Sequence, residues 1–269
     1  MTIACIATHL EPGGITEVEQ SLATAFMLAD SFSAHLSTLI FPVDVGAATA
    51  DVTEQELAAL ETQTAVYARD TAERRGVSID IRPRSSFRFG IGEVLADQIR
   101  VSDLGLITIG AGHGYGQRFL LEGAVFDSGR PVLLVPAQAP LLRLPRRIVI
   151  GWDATPAAVR ALHGAMPLIL RCEEAFVVTV TDDKELREGQ SGIELTRLLT
   201  RHGVKSTFVS PRKEGASVLN TLCRTARECH AELLTLGAVR HAPIHELVYG
   251  SATKDIFMGQ AQFAAIVAA

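Results

Sequence analysis

Hydrophobic positions along the chain fall into short apolar runs that alternate with longer stretches of helical spacing. In the first half the runs predict strands at about 2–8, 34–41, 77–83, 104–110 and 131–135, with helices near 16–31, 52–75, 91–101 and 118–127. The 52–75 stretch sets Ala and Leu among Asp and Glu at helical intervals and stops at Gly76, a residue suited to a left-handed C-cap. A proline-punctuated connector, Pro136 to Pro145, follows. The pattern then restarts with Arg147-Ile-Val-Ile-Gly-Trp-Asp153, a strand running into a turn, and Pro156 opens a helix where its missing N–H costs nothing. Further strands are predicted near 175–180, 204–210, 232–237 and 263–267, and helices near 156–170, 191–202, 214–230 and 250–258.

Each half therefore reads βαβαβαβαβ. Strands that are apolar on both faces and alternate with helices specify a doubly wound α/β fold, a parallel sheet covered by helices on both sides. The expected organisation is a domain over 1–138, a linker over 139–146 and a second domain over 147–269. The repeat is plainest at the fourth strands, Leu106-Ile-Thr-Ile-Gly110 and Leu233-Leu-Thr-Leu-Gly237, each followed thirteen residues later by another glycine, Gly123 and Gly250.

A length of 269 residues agrees with two domains at roughly 150 residues each. The chain is 48% hydrophobic and 20% charged, enough for well-filled cores, and its formal charge of -5 speaks against a strongly basic nucleic-acid binder. No apolar run approaches the ~20 residues of a membrane helix. The opening Met1-Thr-Ile-Ala-Cys5-Ile-Ala7 has the character of a buried strand and lacks a charged leader. Cys5, Cys172, Cys223 and Cys229 are scattered without metal or redox spacing. A cytoplasmic protein with reduced thiols and no membrane or nucleic-acid partner is the expectation. The only lysines are Lys184, Lys205, Lys213 and Lys254, and none stands in a Walker A context.

Three features together resemble the universal stress protein family, over nearly the whole chain. They are the strand–Asp–helix opening Ile148 to Leu162, the strand–Gly–loop–Gly-Ser–helix segment Leu233 to Phe257, and the closing strands Pro131–Val135 and Ala264–Val267. The resemblance implies two tandem Rossmann-like domains packed as an internal pseudo-dimer, a role in stress response, and binding of ATP or another adenine nucleotide, with or without Mg. It also implies a homodimer and a protein partner that the sequence does not identify. ATP-binding members carry G-x2-G-x9-G-[S/T] after the fourth strand. Glycines there let the backbone approach phosphates, and N–H groups at the next helix start hold the anion.

In the second half Gly237, Gly250 and Ser251 match that motif, while Arg240 replaces the middle glycine, where a side chain either obstructs the phosphates or holds them by its guanidinium. By resemblance Asp153 contacts the nucleoside and Val180 offers backbone atoms to the adenine. The first half departs further: Gly110 and Gly123 remain, His113 stands at the middle glycine and Ala124 at the Ser/Thr position, and the first strand ends in Thr8-His9 without an aspartate. Gly110, Gly112 and Gly123 are its weaker candidates.

Each candidate also has a plain structural role. The glycines suit strand-to-helix turns, and Asp153 suits a helix N-cap, a place for which Thr155 competes. His230, His241 and His245 lie near Cys223 and Cys229 in sequence, but Pro243 breaks any helix presenting both His241 and His245, so no metal site is expected. Neither G-x-S-x-G nor H-E-x-x-H occurs, and no catalytic residue is assigned. A binding protein rather than an enzyme is expected, with an interaction scaffold lacking nucleotide as the alternative.

Overall fold

The computed structural model describes residues 2–43, 53–83, 90–110, 115–181, 190–241, 248–249 and 263–269. Gly112, His113, His245, Gly250, Ser251 and the predicted helix near 250–258 lie outside the described residues. The chain divides into two units at Arg143/Leu144.

The unit Thr2–Arg143 contains β1 (Cys5–Leu10), α1 (Ile15–Phe32), β2 (His35–Ile40), α2 (Glu54–Arg75), β3 (Ile79–Pro83), α3 (Ile91–Arg100), β4 (Leu104–Ile109), α4 (Tyr115–Glu122) and β5 (Val132–Pro136). α4 runs on into a π-helical segment, Gly123–Asp127. The strands pair in parallel in the order β3-β2-β1-β4-β5. Every residue of β5 is buried, as the run Val-Leu-Leu-Val requires of a strand covered on both faces. α2 begins at a capping box between Thr53 and Glu56 and ends at Gly76, whose φ of 68° lies in the left-handed region.

The unit Leu144–Ala269 contains β6 (Arg147–Gly151), α5 (Pro156–Ile169), β7 (Glu174–Val178), α6 (Gln190–Arg201), β8 (Ser206–Val209), α7 (Val218–Glu228), β9 (Leu233–Gly237), β10 (Arg240–His241), β11 (Val248–Tyr249) and β12 (Ala264–Ala268). Its parallel strands run β8-β7-β6-β9-β12, the order of the first unit. β10 and β11 form a separate antiparallel hairpin, which the sequence pattern does not announce because each strand has only two residues.

In both units the first strand lies between the second and the fourth. The winding of the chain reverses there, and such a switch point opens a crevice at the carboxyl ends of the strands. β1 runs to Leu10, past the predicted end at Thr8-His9.

Candidate functional site

At the carboxyl end of β6 the chain leaves the sheet through Trp152, Asp153, Ala154 and Thr155. Trp152 is tied at three points. Its N–H donates to the Val178 carbonyl at 2.8 Å, its carbonyl accepts from the Thr179 hydroxyl at 2.9 Å, and its indole Nε1 donates to the Ser191 hydroxyl at 2.6 Å. Ala154 has φ of 58°, a left-handed conformation that costs a residue with a Cβ roughly 1 kcal/mol. Hydrogen bonds from the side chains on either side hold that turn. Asp153 Oδ1 accepts from the Thr155 N–H at 3.1 Å and from its hydroxyl at 2.7 Å. The Thr155 hydroxyl accepts in turn from the Ala158 N–H at 3.2 Å and caps α5.

The competition for the cap is thereby resolved in favour of Thr155. Asp153 supports the cap from outside with one oxygen and is itself exposed. Its second oxygen, Oδ2, has no hydrogen-bond partner among the described residues.

Val180 follows β7 and is 8% exposed. On either side of it, the Thr179 and Thr181 N–H groups donate to Val209 and Pro211 on the β8 side. Because strand backbone alternates, the Val180 N–H and C=O face the opposite edge, toward β6. There the Val178 carbonyl takes the last rung from Trp152, and β6 has already ended. Among the described residues Val180 makes no backbone hydrogen bond. The site thus presents a paired donor and acceptor just beyond the end of β6, beside the turn that carries Asp153.

Gly237 ends β9, the neighbour of β6 across the switch point. A Cβ on it would lie 2.5 Å from Ala158 N and 2.7 Å from the Ala157 carbonyl carbon, so the first turn of α5 packs directly on this backbone. Glycine is therefore demanded here by helix–strand packing, whatever else the position does. Arg240 pairs with Tyr249 through the backbone of the β10–β11 hairpin.

Asp153, Val180 and Gly237 thus share the carboxyl ends of three adjacent strands in the second unit, β7-β6-β9. Gly250 and Ser251 lie outside the described residues. In the first unit Gly110 follows the last residue of β4, but Gly123 lies where α4 becomes the π-helical segment rather than at a helix start. It is buried, and a Cβ on it would come 2.8 Å from the Gly92 carbonyl oxygen, which makes it the crossing point of α3 and α4. Trp152, Thr179 and Ser191 are the contributors that spacing did not single out, because their bonds join elements distant in sequence.

Among the described residues no group of three or more His, Cys, Asp or Glu is placed to hold a metal ion. No described helix is long and apolar enough to cross a membrane.

No protein-family model matches the chain, and no curated protein does. Solved structures do. A universal stress protein from Archaeoglobus fulgidus DSM 4304 superposes with TM-score 0.70 at 12% identity, over 97% of each chain. A putative universal stress protein from Pseudomonas aeruginosa UCBPP-PA14 gives 0.60 at 16% identity, over 99% of this chain and 93% of the other. A functionally unknown protein from Pseudomonas aeruginosa PAO1 gives 0.61 at 15%, over 99% and 92%. At these identities the likeness is one of fold.

Proposed function

We propose that the chain is a universal stress protein of tandem type that holds an adenine nucleotide, ATP by first expectation, in the crevice of its second unit. The observation that carries this reading is the Val180 N–H and C=O, which take no backbone partner among the described residues, beside the exposed Asp153 carboxylate at the switch point between β6 and β9. An N–H and a C=O side by side suit the edge of a base, and a carboxylate with one oxygen unpaired among the described residues suits the hydroxyls of a ribose. The phosphates fall to the segment from Gly237 to Ser251, with Arg240 as the cation that meets them. Binding rather than turnover is the activity, and a cytoplasmic stress response, relayed through a protein partner or a second copy of the chain, is its setting.

The scaffold alternative draws on one observation, the packing of α5 on Gly237, which accounts for that glycine without a ligand. Release of bound nucleotide separates the two. Protein freshly purified and denatured should yield adenine nucleotide, identified by ion-exchange chromatography, in near-stoichiometric amount. Gly250→Glu should yield none, and Arg240→Gly should weaken binding; unchanged or tighter binding would deny the guanidinium its place at the phosphates. An empty eluate together with no heat on titration with Mg-ATP would leave the scaffold.

A further inference from the structure

The ladder between β6 and β7 keeps one spacing from end to end. At its start the Arg146 carbonyl accepts from the Glu174 N–H at 3.2 Å, and at its end the Trp152 N–H donates to the Val178 carbonyl at 2.8 Å. In a parallel pair the residue that donates to one position accepts from the position two further on. The next rung would therefore run from the Val180 N–H to the Trp152 carbonyl.

That rung is not made. The Trp152 carbonyl accepts instead from the Thr179 hydroxyl at 2.9 Å. The Val180 N–H makes no hydrogen bond among the described residues.

The strand has not strayed at this point. On the β8 side it continues past Val180: the Thr179 N–H donates to the Val209 carbonyl at 3.1 Å, the Thr181 N–H donates to the Pro211 carbonyl at 3.0 Å, and Thr181 bridges to Arg212 in parallel. Backbone alternation thus still turns the Val180 N–H toward β6. What occupies its acceptor is a side chain one residue upstream. Thr179 is 7% exposed, so its hydroxyl is a donor that needs a partner inside the protein. A valine there would extend the apolar run Phe176-Val-Val178 with the same shape and no claim on the carbonyl.

We infer that Thr179 is a positioning residue. Its hydroxyl takes the place of the Val180 N–H on the Trp152 carbonyl, and so keeps that N–H out of the sheet and available to a ligand beside Asp153. The identity of that ligand, the base of an adenine nucleotide, rests on the reading above; the displaced rung does not.

Thr179→Val tests this, because it removes the hydroxyl and leaves the main-chain bonds to the β8 side in place. With its acceptor vacated, the Val180 N–H should close the rung. Amide exchange at Val180, read by NMR on the full chain, should slow at least about tenfold relative to the parent. Affinity for Mg-ATP in isothermal titration should fall at least about tenfold. Thr179→Ala should act in the same direction, and Thr179→Ser, which retains the hydroxyl, should match the parent in both measurements. A residue that merely stabilised the strand end would give the opposite sign, since its loss would hasten exchange there. Unchanged or faster exchange at Val180 in Thr179→Val and Thr179→Ala would overturn the inference. So would parental affinity for Mg-ATP in a variant whose Val180 amide has become protected. No uptake of Mg-ATP by the parent would overturn the nucleotide reading, while exchange at Val180 would still decide what Thr179 does.

Discussion

His9 carries a clear pH signature. Burial pushes its pKa down from 6.5 to about 4, against the opposing pull of its bond to the Phe41 carbonyl. The unfolded chain takes up this proton near pH 6.5 and the folded chain only near 4. Between those values the unfolded state holds more protons. The stability that neutral His9 supplies is therefore intact above pH 6.5 and drains away as pH falls toward 4, by roughly 3 kcal/mol over the window. The thermal midpoint should fall across that range more steeply in the parent than in His9→Gln, whose amide still donates but does not titrate; equal slopes would deny His9 the role. Thr155 makes a second prediction at this scale. Removing its hydroxyl strips the cap from α5 and one partner from Asp153, so Thr155→Ala should cost about 1 kcal/mol in denaturant unfolding. The sequence made Thr155 a contender for that cap because Pro follows it, whereas the Trp152–Ser191 bond, between residues far apart in the chain, left no local trace.

Among the elements, helices differ in what holds them. α2 buries only Thr64, Ala68 and Ala72, a narrow seam for a helix of 22 residues, so its start depends on the Thr53–Glu56 capping box. Thr53→Ala should speed hydrogen exchange in the first turns of α2 while leaving α1 unchanged. α3 and α4 are held by contact at Gly92 and Gly123 instead. Gly123→Ala should force that crossing apart and destabilise the chain by about 1–3 kcal/mol, read as a lower denaturant midpoint. Element type was legible wherever apolar runs were long enough to be buried on both faces, as in β4, β5 and β9. It was not legible for the β10–β11 hairpin, two residues a side, nor for the shift of β1 to Leu10, since Ile6, Ala7 and the buried polar Thr8 and His9 give no clean stop.

For the molecule as a whole, the doubled strand order was foreshadowed by the two Leu-x-Thr-x-Gly strands, and the division at Arg143/Leu144 lies within the proline-rich connector. Missing motif residues in the first half were visible in the sequence, but the register that sets Thr8 opposite Leu106 and Ile148 opposite Leu233 requires the paired strands. Stability at this scale rests on apolar burial rather than on charge. Ion pairs such as Arg75–Asp30, Arg146–Glu173 and Arg224–Glu214 lie at the surface, where solvent and side-chain entropy leave them little. Raising NaCl to about 0.5 M should accordingly move the thermal midpoint by no more than about 2 °C.

Trp152 is the chain's single tryptophan, and its indole hangs on one hydrogen bond to Ser191 beside the Asp153 turn. The protein therefore has a built-in optical probe in one unit and none in the other. Light absorbed near 295 nm enters the molecule only at the second crevice, so emission wavelength and quenching by iodide describe that corner alone. Whatever happens in the first unit is dark at this wavelength, and the two halves of a nearly repeated fold can be followed separately without attaching a label.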